Sequence, residues 1–249
     1  MPGKSDEGPK PPAPQAWERA PALVPVVGSA EPGLVSDGGG LPFAPSRLSG
    51  DAAPLDPGDP AVAALIVQID RGRQQAQPAR LLRPRARPSA LEVPEKLAGW
   101  RELARNEHEA LFGLGRPPQL LTVAARRRRR NRWEPVGASN SRPLRAVRDG
   151  VRASSWRLDP DSEVGPDQRE LRILVTEVTM ASGTPAAERL LEPELYLDDE
   201  RLVLRVYIRP IEGYVGRTAP HETPVIVRLP EALGGRRPVD GALYGPGEA

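Results

Sequence analysis

The stretch "ELYLDDERLVLRVYIRP", residues 194–210, indicates more about the fold than any other part of the sequence. In its second half apolar residues alternate with others, and the apolar ones are Leu202, Leu204, Val206 and Ile208. This alternation is typical of a strand with one dry face, which places Arg205 and Tyr207 on the opposite, polar face. The shorter "ELYL" predicts a second strand, and Asp198 with Asp199 predicts the turn between them.

The same alternation recurs in "ELRILVTEV" (170–178) and "TPVIVRLP" (223–230), and more weakly in "VRASSWRL" (151–158). Four or five short strands separated by turn residues predict a small antiparallel, sandwich-like sheet. The sequence thus predicts a mainly β C-terminal domain over residues 142–249. Short helices and disordered segments rich in proline, glycine and arginine are expected before it.

Residues 1–58 are rich in proline and glycine and hold only two aromatic residues. A segment of this composition buries too little apolar surface to offset the entropy lost on ordering. We therefore expect a disordered leader over 1–58.

Residues 59–116 are predicted to form two helices. The first begins with Asp59 as its cap and Pro60 as its first residue, and it fades near Gln75. Its apolar stripe follows helical spacing and consists of Val62, Leu65, Ile66 and Ile69.

The second helix is predicted within "VPEKLAGWRELARNEHEALFGLG", opening at Pro94 and closing at Gly113 or Gly115. One of its faces is apolar and consists of Leu97, Trp100, Ala104 and Leu111. The outer side is expected to be mostly polar, as on a surface helix.

Residues 117–141 are predicted to be an arginine-rich linker. Between residues 120 and 157 eleven arginines face two acids, a local net charge of 11 − 2 = +9. Such a stretch attracts phosphate backbones, and a neighbouring tryptophan can stack on a base. The candidate nucleic-acid residues are Arg126, Arg127, Arg128, Arg129, Arg130, Arg132 and Trp133. The alternative is a solvated tether that its own charges keep extended, and both interpretations remain open.

Contact with an anionic membrane surface is a weaker interpretation of the same region, because residues 120–125 form an apolar patch beside the arginines. No apolar stretch approaches the roughly 20 residues that a transmembrane helix needs. Peripheral contact is therefore the only membrane role that the sequence favours.

Motifs for catalysis are incomplete. His108 and Glu109 begin an H-E-x-x-H pattern, but Phe112 takes the place of the second imidazole. The adjacent acids at residues 198–200 are expected in a solvated turn, because neighbouring strand residues point to opposite faces. These patterns favour a protein that is not an enzyme and holds no cofactor or metal.

The chain has no cysteine, which excludes disulfides, thiolate metal sites and thiol nucleophiles. The apolar run "APALVPVVGSA" is broken by Pro25 and lacks the features of a signal peptide. A cytoplasmic location is therefore expected. Secretion or a cell-surface location is the alternative if the start site is misassigned.

The order of phrases in the last hundred residues resembles an uncharacterised β module of actinobacterial exported and lipid-anchored proteins. The matching phrases here are "GVRASSWRLDP", "LRILVTEVTMASG", "EPELYLDDERLVLRVYIRPIEG" and "TAPHETPVIVRLPEALGGRRPVDG". Where that family has cysteines, in its "ERACASG" and "CPGNPxTPVTVEL" phrases, this chain has Met180 and Ala219. If the family's cysteines pair, their joint loss implies a reducing compartment. The resemblance brings no ligand and no catalytic residue.

The sequence predicts, in sum, a non-enzymatic interaction or structural β module with an unknown protein partner. The alternative function is weak binding of nucleic acid or another anionic surface through residues 126–132. The oligomeric state is not indicated.

Overall fold

The structure, a computed structural model, describes residues 14–49, 53–76, 92–140, 142–177, 186–211 and 221–245. Strands make up about two fifths of the described residues. The chain divides into two compact units. The first unit comprises Met1–Glu31 and Arg148–Leu243, and the second comprises Pro32–Val147 and Tyr244–Ala249.

The described helices are short apart from the second: α1 (Pro14–Glu18), α2 (Pro60–Ala76) and α3 (Glu92–Leu97). Short 3-10 turns occur at Pro45–Leu48, Arg129–Asn131 and Ala187–Arg189. The strands before residue 150 are β1 (Ala22–Leu23), β2 (Val26–Val27), β3 (Leu34–Ser36), β4 (Trp100–Arg105), β5 (Glu109–Leu114), β6 (Leu121–Arg127), β7 (Trp133–Asn140) and β8 (Leu144–Arg148). The later strands are β9 (Val151–Leu158), β10 (Glu170–Thr176), β11 (Glu194–Leu197), β12 (Arg201–Tyr207), β13 (Glu222–Arg228), β14 (Arg237–Asp240) and β15 (Leu243–Tyr244).

The first unit is built on a sheet with the strand order β1-β13-β10-β9-β12-β11-β2. Its long neighbours are antiparallel, while β14 lies parallel to β12. The inward side chains form one apolar core that includes Leu171, Ile173, Leu204, Val206 and Val227. The strands predicted from alternation are confirmed, two of them, β9 and β11, with the predicted bounds.

Residues 22–27 supply a strand to each edge of this sheet. Strand β1 pairs in parallel with β13, and β2 pairs in parallel with β11, with Pro25 between them. Sheet edges present unpaired amides and carbonyls, and this segment satisfies some of them. The prediction of a disordered leader over 1–58 is therefore wrong for residues 22–48. Amino-acid composition cannot show that a segment pairs its backbone with the edge of a distant sheet.

The second unit contains an antiparallel sheet with the order β4-β5-β6-β7. The helix predicted from Pro94 is wrong beyond Leu97, since β4 and β5 follow as a hairpin. Gly99 adopts a φ of +77° directly after α3, a conformation that ends helices. Both faces of β5 are buried, so its sequence lacks the alternation that marks a half-exposed strand.

The predicted linker over 117–141 is also wrong, because it contains β6 and β7. Strand β6 is covered on both sides. Val123 and Ala125 pack with α2, whereas Leu120 and Ala124 pack with Val35, Phe43 and other residues of the opposite face. A mainly β fold is confirmed, but it is not confined to the C-terminal third.

Helix α2 covers one face of the second unit's sheet, and its prediction is confirmed. The Asp59 carboxylate accepts a hydrogen bond from the Ala61 amide at 2.7 Å, which caps the first turn. Val62 and Leu65 are buried in the predicted stripe. The apolar side of helix α2 therefore packs against one face of this sheet.

Candidate functional site

The arginine tract is the tip of the hairpin formed by β6 and β7, which we name the arginine hairpin (residues 121–140). Arg126 and Arg127 end β6, the loop follows, and Trp133 begins β7. The Arg128 amide donates to the Arg132 carbonyl at 2.7 Å across the loop. All six arginines of the tract are exposed. The tract is thus carried by folded structure rather than by a tether.

The tip turns through two residues in the left-handed region, Arg130 with a φ of 62° and Asn131 with a φ of 58°. Asparagine tolerates this conformation because its short side chain bonds locally, whereas arginine is strained there. The Arg127 amide donates to the His108 carbonyl at 2.7 Å, which ties the base of the tip to the β4–β5 turn. The arginine side chains therefore project from an anchored backbone.

Half of the tip's arginines have carboxylate neighbours. Arg126 lies 3.0 Å from Glu109, while Arg132 and Arg128 lie 3.4 Å and 4.0 Å from Glu134. Exposed pairs of this kind contribute only about 0–1 kcal/mol and can be exchanged for another anion. The other three, Arg127, Arg129 and Arg130, have no ion pair within the described residues.

Trp133 has a different environment from the arginines. Its ring is partly buried against the core beneath α2. The Arg105 guanidinium lies 5.8 Å from the ring centroid, within cation–π range. Stacking on a base would require the ring to leave this packing. The geometry favours charge contacts by the arginines over stacking by Trp133.

Arg105 links α2 to the sheet. It pairs with Asp59 at 2.8 Å and with Glu102 at 2.7 Å. The hydrogen bond that Arg105 donates to Glu102 is the main reason that the pKa of Arg105 is raised, and burial acts in the opposite direction. This arginine therefore has a fixed structural role and is not available to a ligand.

A groove of about 420 Å³ lies beside Arg105. Its charged lining is balanced and consists of Arg47, Arg101, Arg105, Asp56, Asp59 and Glu102. Arg101 donates to the Leu48 carbonyl at 3.0 Å, and its Nε is buried without a partner among the described residues. Equal numbers of cations and carboxylates give this groove no preference for an anion.

The apolar patch at residues 120–125, on which the membrane interpretation depends, is largely buried. Leu120 is 4% exposed, and residues 122–125 are buried inside the second unit. An apolar patch that faces the protein core cannot insert into lipid. Within the described residues, no helix is long and apolar enough to cross a membrane.

The first unit contains a buried arginine that the alternating pattern predicts to be exposed. Arg205 is 2% exposed and donates to the carbonyls of Gly241 at 3.1 Å, Ser29 at 2.7 Å and Ala30 at 2.5 Å. The expectation of a polar, exposed face is wrong here, because residues 29–30 and 241 cover that side of β12. Only the uninterrupted apolar neighbours of Arg205 in the sequence hint at this burial.

Tyr207, expected on the same exposed face, is also buried. Its hydroxyl donates to the Glu194 carboxylate at 2.8 Å, and the Arg148 guanidinium lies 4.6 Å from its ring centroid. Burial is the main cause that raises the pKa of Tyr207, with the hydrogen bond to Glu194 adding to it. Glu194 also lies 3.6 Å from Arg148 and 3.8 Å from Arg205, so these side chains pair with one another and we assign the group a structural role.

The acids at residues 198–200 form the predicted turn. The Asp198 carboxylate accepts from the amides of Glu200 at 3.0 Å and Arg201 at 2.7 Å. The Glu200 amide is the main cause that lowers the pKa of Asp198, with Arg201 adding to it. This carboxylate is used in shaping the hairpin.

His108 lies exposed in the turn between β4 and β5 instead of in the predicted helix. Asn106 shapes this turn by accepting from the amides of His108 and Glu109. Among the residues that the structure describes, no group of three or more histidines and carboxylates could hold a metal ion.

Comparison with protein-family models, curated proteins and solved structures gave no match to the chain. The resemblance to the actinobacterial β module therefore stays a prediction. Met180 and Ala219, which stand where that family has cysteines, lie outside the described residues.

Proposed function

We propose that this protein is a non-enzymatic interaction protein and that the arginine hairpin is its contact surface for an anionic partner. The observation that carries the proposal is the placement of six exposed arginines on a folded hairpin, three of them without an ion pair in the described residues. A surface that is already ordered loses less entropy on binding than a flexible tether.

The chemistry of the tip favours anions that present two oxygens side by side. Each guanidinium presents donors in a fork that matches carboxylate or phosphate oxygens. The proposal includes no cofactor. It includes a cytoplasmic location, which agrees with the lack of cysteine in the chain. Kinship with the actinobacterial β module remains part of the proposal for residues 150–241 and adds no functional residue.

Nucleic acid is the second candidate partner. A two-stranded ribbon has a width that enters the major groove of DNA, and the arginines of the tip would meet phosphates on both sides. Because Trp133 is packed against the core, this binding would depend on phosphate charge and not on base sequence.

The test measures binding of the full chain to fluorescent polyglutamate and to a fluorescent duplex DNA across a range of salt concentrations. The three arginines without an ion pair correspond to three phosphate contacts and to a slope of log K against log salt of about −3 for the DNA. The variant R127S/R129S/R130S should bind both anions at least tenfold more weakly and lose most of this slope.

A matched control removes the same charge elsewhere through R19S/R116S/R237S, three arginines that are also exposed. This control should bind like the wild type. The proposal fails if both triple variants lose affinity equally, because net charge and not the hairpin would then be responsible. It fails equally if the wild-type chain binds neither anion.

A further inference from the structure

The outer edge of β7 has no partner strand among the residues that the structure describes. Within the described residues β7 pairs with β6 only. Its final part, residues 136–140, carries no charged side chain, and Val136, Gly137 and Ala138 are exposed. The backbone groups that point away from β6 are therefore available to another strand.

Among the described strands, the edges at β4, β13 and β11 are protected. Strand β4, at the opposite edge of the same sheet, carries Arg101, Glu102 and Arg105, and charges on an edge discourage pairing. In the first unit, β1 and β2 cover the edges of β13 and β11.

Strand β7 has protection only at its start. Pro135 has no amide hydrogen to donate. Val136 forms a bulge, since its neighbours Pro135 and Gly137 pair with the consecutive residues Ala125 and Ala124. Beyond the bulge the ladder is regular. Residues 137–140 thus offer a regular edge of four residues, enough for a short strand.

A groove of about 210 Å³ adjoins this edge. It is lined by small and apolar side chains, by the hydroxyls of Thr122 and Ser139, and by one charged residue, Arg142. The Thr122 hydroxyl is used by Asp37, whereas the Ser139 Oγ is buried without a partner among the described residues. A small side chain from an added strand would fit here.

The arginine tip lies at the N-terminal end of the same strand, with Arg132 four residues before Val136. Four strand residues span about 13 Å. If a strand pairs antiparallel to β7, its C-terminal end therefore lies next to the arginine tip. Acidic residues just beyond its paired part would meet the unpaired arginines.

We propose that β7 binds an extended acidic peptide by strand addition, with small residues paired along 137–140 and carboxylates held by the arginine tip. This inference builds on the proposed function and names its partner class. Backbone pairing supplies affinity in such complexes, and side-chain pockets with charge supply the choice of partner.

The probe is a fluorescent ten-residue peptide of five alternating valines and threonines followed by five glutamates. Its control carries N-methyl groups on alternate amides of the valine–threonine half, which removes strand donors without changing charge. We expect the methylated peptide to bind the full chain at least tenfold more weakly, as measured by fluorescence anisotropy. The variant R127S/R129S/R130S should weaken the unmethylated peptide to a similar extent, unlike R19S/R116S/R237S.

Equal binding of the two peptides would overturn strand addition while leaving the anion-binding hairpin intact. Duplex DNA that binds more tightly than the peptide and displaces it would make nucleic acid the partner and overturn this inference alone. If neither peptide nor DNA binds, the proposed function fails as well.

Discussion

The substitution R205M tests how the leader is held to the first unit. Methionine keeps most of the apolar stem and removes the guanidinium that donates to Gly241, Ser29 and Ala30. Each hydrogen bond from a charged donor contributes about 1.5–3 kcal/mol. The cost of burying the charge offsets part of this sum, and removal of one member of a buried polar group costs about 3–5 kcal/mol in total. We expect R205M to destabilise the first unit by about 3–5 kcal/mol.

Hydrogen–deuterium exchange followed by mass spectrometry gives the local readout. The Val26 and Gly28 amides donate to the carbonyls of Pro193 and Leu195, so a peptide covering residues 22–31 reports whether the leader stays docked. A loss of 3 kcal/mol corresponds to roughly hundredfold faster exchange of these amides where opening limits it. Urea unfolding followed by circular dichroism measures the global change.

The control is R201M on the same strand, which removes an exposed partner of Asp198 and should cost less than about 1 kcal/mol. R205M should also lose most of its effect in a chain without residues 1–31, where two of its three acceptors are gone. Equal exchange in R205M and R201M would refute the reasoning, as would an undiminished effect of R205M in the shortened chain.

Three further predictions follow from burial and from pKa shifts. L65A should lower the free energy of unfolding of the second unit by about 2–5 kcal/mol, whereas V67A at an exposed position of α2 should change it little, as urea titration will show. Because the pKa of Tyr207 is raised, the unfolded chain loses that proton first, and stability should fall above about pH 10 in the wild type but not in Y207F. The pKa of Asp198 is lowered, so the wild type should exceed D198N in urea midpoint above about pH 4, with the difference shrinking as the pH falls through the lowered pKa. An unchanged difference at low pH would show that the carboxylate charge is not involved.

The sequence predicted those elements whose pattern is local. Strands β9, β10, β11 and β13 have one dry face along much of their length, and α2 has a capped apolar stripe, so alternation and helical spacing located them. Strand β12 was located as well, because its sequence alternates although both of its faces are buried. Strands β5 and β6 escaped because both of their faces are buried, which leaves no alternation to recognise. The apolar spacing of residues 97–111 matches a helix by coincidence, because Leu97 and Trp100 pack in the core beneath α2 while Leu111 packs in the core on the opposite face.

Amino-acid composition could not predict the pairing between segments that are distant in the sequence. The leader is ordered by edges of a sheet formed by residues far along the chain, and Arg205 is buried because Ser29 and Ala30 cover it. For the candidate site, the sequence identified the arginines but not the hairpin that presents them. It also could not indicate that Trp133 packs against the core.

Assignment of backbone chemical shifts and cross-strand nuclear Overhauser effects for residues 117–140 tests the central claim most directly. If the arginines cap a folded ribbon, shifts on both sides of the tip will be β-like and contacts will join Val123 with Ala138 and Thr122 with Ser139. Random-coil shifts throughout this stretch, with no contact between its two halves, would contradict the claim and restore the solvated tether.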